Sequence, residues 1–176
     1  MKKPKTGEAN AMAKGKRQKE QTLKVRVRVL GIDSSFEPAT LAAYQYREKH
    51  VYPYIQSKGY TVDKCQGPMA RRIYVAPAAV ASGVVYITGV GHGSHTIYTG
   101  CYYDPIFQVG CYAAAEPAGK IVHLLSCETA RDLGPDFVKN GAWRTLPTTT
   151  ISSSRGATKM CSSSATRKSI VHLPMD

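Results

Sequence analysis

Two residues in this chain have the chemistry and the setting for nucleophilic catalysis. Cys127 ends the apolar run Lys120-Ile121-Val122-His123-Leu124-Leu125-Ser126-Cys127, and His92 ends the run Gly83-Val84-Val85-Tyr86-Ile87-Thr88-Gly89-Val90-Gly91-His92. A thiol close to an imidazole is the minimum set for cysteine nucleophile catalysis, because the ring accepts the thiol proton and later returns it. His92 stands between Gly91 and Gly93, so the backbone can turn sharply there and a substrate can approach closely. Gly93 would offer its N–H, together with that of Cys127, to a developing oxyanion. Glu128-Thr129-Ala130-Arg131-Asp132-Leu133 reads as the start of a helix running to Asn140, and a thiol at a helix N-terminus is shifted toward thiolate. His123 reads as a structural residue within its strand. A zinc site of His92, His95, Cys101 and Cys111 has a spacing that matches no common metal motif, so no metal is expected.

Both runs are short and continuously apolar, the pattern of strands covered on both faces in a parallel sheet. Open α/β sheets place their ligand crevices at the carboxyl ends of such strands. Ahead of them, Leu23 to Gly31 alternates apolar and polar residues and predicts a first strand, with Asp33 in the loop at its end. Ala39 to Lys58 predicts a helix with Leu41, Tyr44, His50 or Val51, and Ile55 inward, interrupted by Pro53 and stopped by Gly59. Tyr60 to Cys65 predicts a second strand. Met69 to Ala81 predicts a helix broken near Pro77, with Ile73, Val75 and Val80 as its apolar positions. Strands alternating with helices imply parallel crossovers. Residues 94–119, with Tyr98, Tyr102, Tyr103 and Tyr112, either line a substrate pocket or form a small hairpin over the sheet.

His92-Gly93 after one hydrophobic block and Ser126-Cys127 after the next resemble the caspase-like superfamily of cysteine peptidases, which includes caspases, gingipains, separases and CHAT-domain proteases. The run Ile121 to Ala130 is most similar to the CHAT and gingipain end of that group. The resemblance covers residues 25–142. It implies an α/β three-layer sandwich with a mostly parallel central sheet. It also implies a thiol endopeptidase that cleaves protein or peptide substrates through Cys127 and His92 without a cofactor. A basic residue on the acyl side of the scissile bond would pair with an acid such as Asp33 or Asp104.

The chain divides into a basic tail (1–22) predicted to be disordered, a peptidase domain (23–142) and a Ser/Thr-rich tail (143–176). Net charge is +12, but residues 29–142 balance nine basic against nine acidic side chains. The excess therefore belongs to the ends, which argues against a folded nucleic-acid face. No run reaches the roughly 20 apolar residues that span a membrane. Five cysteines without a close pair argue against a disulfide framework, and the absence of a secretory leader points to the cytoplasm.

After Gly141 a doubly wound sheet should continue with another apolar strand, yet the composition turns to Ser and Thr. One reading is a disordered extension. Another is a change of reading frame, since permissible codons for 142–153 encode Val-Ala-Tyr-Phe-Ala-Tyr-Asp-Asp-Asn-Phe-Ile in a second frame. In that case the sheet is truncated at its C-terminal strands. The shifted tail favours, as alternatives to a peptidase, an inactive caspase-like scaffold or remnant that binds a regulatory protein partner. A further alternative is a basic-tailed module for anionic partners.

Overall fold

A computed structural model describes residues 26–146. The basic tail 1–22 and residues 147–176 of the Ser/Thr-rich tail lie outside the described residues.

Among the described residues, five parallel strands form the central sheet: β1 (Arg28–Asp33), β2 (Thr61–Gln66), β3 (Val84–Val90), β7 (Ile121–Leu125) and β8 (Arg144–Thr145), in the order β2-β1-β3-β7-β8. The protein is thus α/β with a parallel central sheet. β4 (His92–Ser94), β5 (Ile97–Thr99) and β6 (Pro105–Gln108) form a separate antiparallel sheet. Of the two readings of 94–119, the hairpin is therefore the one present. Its Tyr98 is fully buried, and its hydroxyl donates to the Ile32 carbonyl oxygen at 2.8 Å. Gly89 permits this docking: a Cβ there would stand 2.0 Å from the Ile32 oxygen and 2.7 Å from the Tyr98 hydroxyl.

β1 holds Leu30 and Ile32 at 0% exposure, and β3 and β7 contribute Ile87, Val122 and Leu124 to the same core. β8 begins two residues after Ala142, where the sheet needs another strand, and pairs Arg144 with Ile121 and Thr145 with Val122. It lies past residue 142.

The long helix after β1 has three parts: α1 (Pro38–Tyr46), a π-helical segment (Arg47–Val51) and α2 (Tyr52–Ser57). Pro53 lies directly after the π-helical segment, and the backbone stays right-handed helical through it, with Val51 at φ −77° and ψ −52°. The inward stripe differs from the apolar one expected. Thr40, Arg47 and Tyr52 are buried, while Leu41 and His50 are exposed. α3 (Arg72–Ala79) contains Pro77 and buries Val75 and Ala79 but leaves Ile73 and Val80 exposed. α4 (Leu133–Lys139) starts five residues later than predicted and buries Leu133 and Phe137, with Val138 exposed.

Candidate active site

The register between β3 and β7 places His92 and Cys127 together. Val90 pairs with Leu125, and the Gly91 N–H donates to the Leu125 carbonyl oxygen at 3.2 Å. Each candidate lies two positions beyond its member of that pair, at the carboxyl edge. This edge adjoins the point where the strand order reverses, with β2 on one side of β1 and β3 on the other, and open α/β sheets bind ligands there. An open cavity of about 250 Å³ is lined by His92 and Cys127, by Ala39, Thr40 and Ala43 of α1, and by the strand ends Val90, Gly91, Leu125 and Ser126. Cys127 is exposed and His92 partly so.

Gly93 joins the two motifs. A Cβ on it would lie 2.6 Å from Thr129 Cγ2 and 3.0 Å from Ser126 Oγ, so the His-Gly segment rests directly on the turn that carries the thiol. Ser126 and Thr129 are buried there, and their hydroxyls share a hydrogen bond of 2.9 Å.

His92 is held by a partner that sequence spacing did not single out. Its Nε2 is 2.7 Å from Glu37 Oε1, contributed by the residue just before α1. A carboxylate only accepts, so Nε2 carries the proton in this pair and Nδ1 of the neutral ring keeps its lone pair. The imidazole is also flanked by Phe36 and Tyr103, with ring centroids 6.2 and 5.2 Å away. Tyr102 and Tyr103 reach this position with φ of 54° and 59°, a left-handed backbone that costs a non-glycine residue energy.

Cys127 does not stand at a helix N-terminus. Residues 126–132 form bends and turns, and α4 begins at Leu133. The positive end of the α4 dipole therefore lies away from the thiol. Glu128 adopts φ 55°, and its carboxylate lies 2.7 Å from His95 Nε2. The Leu133 N–H donates to the His95 carbonyl oxygen at 2.8 Å, tying the same segments a second time. These tertiary bonds override the helical preference of the local sequence.

The two candidate acids for a basic substrate residue sit apart from the cavity. Asp33 is 0% exposed and accepts from Arg47 Nε at 2.8 Å, from the Tyr52 hydroxyl, from Gln66 Nε2 at 3.2 Å and from the Val90 N–H at 3.1 Å. It braces the ends of β1 and β3 from within. Burial works against the Arg47 charge, but Asp33 and Tyr52 outweigh it and leave the guanidinium pKa above its ordinary value. Asp104 accepts the Arg72 N–H at the start of α3, at 2.7 Å, and lies 3.9 Å from Arg71 Nε. Both carboxylates are committed to structure.

His123 faces the Tyr86 hydroxyl at 3.1 Å, and burial, then the Arg47 charge, lowers its pKa. Cys65, Cys101 and Cys127 are free thiols. Cys111 is disulfide-bonded, against the expectation drawn from the cysteine count. Among the described residues, no group of three or more His, Cys, Asp or Glu side chains is arranged to hold a metal ion, and no helix is long and apolar enough to cross a membrane.

The chain matches no protein-family model, no curated protein and no solved structure with which it was compared.

Proposed function

We propose that this protein is a caspase-like cysteine endopeptidase acting through a Cys127–His92 dyad. The observation that carries the proposal is the common edge. Parallel, in-register strands put a free, exposed thiol and an imidazole at equal offsets on the rim of one cavity. In this reading His92 Nδ1 takes the Cys127 proton, and the sulfur bonds to the carbonyl carbon of the scissile peptide. The carbon–nitrogen bond then breaks, and the amine leaves with the proton held by His92. Water adds to the thioester carbon, releases the carboxylic acid and restores the thiol. Backbone N–H groups of Gly93 and Cys127 are the proposed oxyanion donors. Glu37 fixes the ring by holding the Nε2 proton.

Turnover tests this. The full chain should hydrolyse fluorogenic peptides from a mixed library, and Cys127→Ala and His92→Ala should each abolish the signal. A folded wild-type chain whose thiol alkylates normally but which cleaves nothing in the library would contradict the reading.

A further inference from the structure

We infer that the cavity beside Cys127 receives the side chain on the acyl side of the scissile bond and selects an uncharged, apolar one. This rests on the peptidase reading. The wall from α1 is Ala39, Thr40 and Ala43, and the strand ends add Val90 and Leu125. Among the described residues, no titratable side chain other than the reacting pair lines it.

The nearby charges are already matched. Glu37 is bound to His92, and Asp33 and Asp104 are occupied as described above. A guanidinium or ammonium entering the cavity would shed water and find no free carboxylate, which is costly. A carboxylate fares no better, because Arg47 is 7% exposed and turned onto Asp33. An apolar side chain instead covers Ala43 and Leu125, the latter of which leaves 40% of its surface in solvent. The small residues on α1 leave space for a side chain with a branched or unbranched aliphatic stem. With Asp33 and Asp104 engaged by Arg47 and by the Arg72 N–H, such a pocket discriminates through desolvation.

The test uses the full chain and a set of peptidyl acyloxymethyl ketones that differ only in that one residue: Leu, Met, Ala, Asn, Arg or Asp. The rate of Cys127 modification is read by peptide mass. Leu or Met should react at least about tenfold faster than Arg or Asp, the scale on which a pocket separates well-matched from poorly matched side chains. Ala43→Asp, on the cavity wall, should slow the Leu reagent and speed the Arg reagent, moving their ratio by about tenfold or more. Fastest reaction with Arg, Asp or Asn would overturn the apolar pocket while leaving the dyad intact. Failure of every ketone, with iodoacetamide still reacting at Cys127, would overturn the peptidase reading and this inference with it. The wild-type panel decides the matter even if Ala43→Asp does not fold.

Discussion

A single methyl group at residue 93 should act as a wedge between the two halves of the site. In Gly93→Ala the new Cβ would lie 2.6 Å from Thr129 Cγ2, with the Ile97 carbonyl oxygen and Ser126 Oγ each at 3.0 Å. Carbon atoms in contact prefer about 3.5–4.0 Å, so the His92 segment and the Cys127 turn must part by about 1 Å. Forcing a methyl group into a packed site costs about 1–3 kcal/mol, which leaves most domains folded. Displacing catalytic groups by about 1 Å costs on the order of 10²-fold in rate. The expected phenotype is a folded protein with a modestly lower unfolding midpoint and kcat/KM reduced about 100-fold. A rescue sharpens the test. Thr129→Ser deletes the Cγ2 methyl while keeping the hydroxyl that bonds Ser126. The double variant should therefore recover part of the lost rate, although the two contacts at 3.0 Å remain. Denaturant midpoints and peptide hydrolysis, measured side by side, separate the two effects. Unchanged activity in Gly93→Ala, or equal losses in the single and double variants, would refute the claim that this contact sets the spacing of the dyad.

Three further outcomes follow from the same contacts. Arg47→Met leaves the Asp33 carboxylate buried without its cation, and urea unfolding should show a loss of about 3–5 kcal/mol; a loss below 1 kcal/mol would contradict the bracing role. Glu37→Gln removes the charge that holds the His92 ring while keeping the side chain's size, so kcat/KM should fall on the order of 10²-fold with little change in stability. His123 has a folded pKa below its ordinary value of 6.5, so the unfolded chain binds more protons at mildly acidic pH. Stability should rise with pH across the window from the lowered folded pKa up to about 6.5, and His123→Gln should flatten that slope in a series of melts; an unchanged slope would assign the dependence to other groups.

The parts of the fold legible in the sequence are those governed by apolar runs and local breakers. β2, β3 and β7 lie where uninterrupted apolar or alternating segments meet Gly, and Gly141 stops α4 with φ 88°. The common edge for His92 and Cys127 follows from two such strands being neighbours. The helix after β1 resisted the same reasoning because its buried face is Thr40, Arg47 and Tyr52 rather than an apolar stripe. The buried arginine is matched by Asp33, 14 residues away, and by the Tyr52 and Thr88 hydroxyls, and hydrophobic spacing cannot register a polar face whose charge partner lies on another element. Glu37 escaped for the same reason, since its link to His92 spans 55 residues. The stretch after Cys127 has good helix-forming residues, yet the His95–Glu128 pair and the Ser126–Thr129 bond hold it as a turn.

The central claim, an assembled thiol–imidazole dyad, is tested most directly by competitive alkylation. The folded full chain is treated with limiting iodoacetamide near neutral pH, and labelling of each cysteine is followed by peptide mass in the wild type and in His92→Ala. Cys65 and Cys101 are buried, and burial, together with Asp63, raises the Cys65 pKa, so both should react slowly. Preferential labelling of Cys127 that drops in His92→Ala is the predicted result. Labelling of Cys127 at the same rate in both proteins would show that the imidazole does not activate the thiol, and would contradict the account at its base.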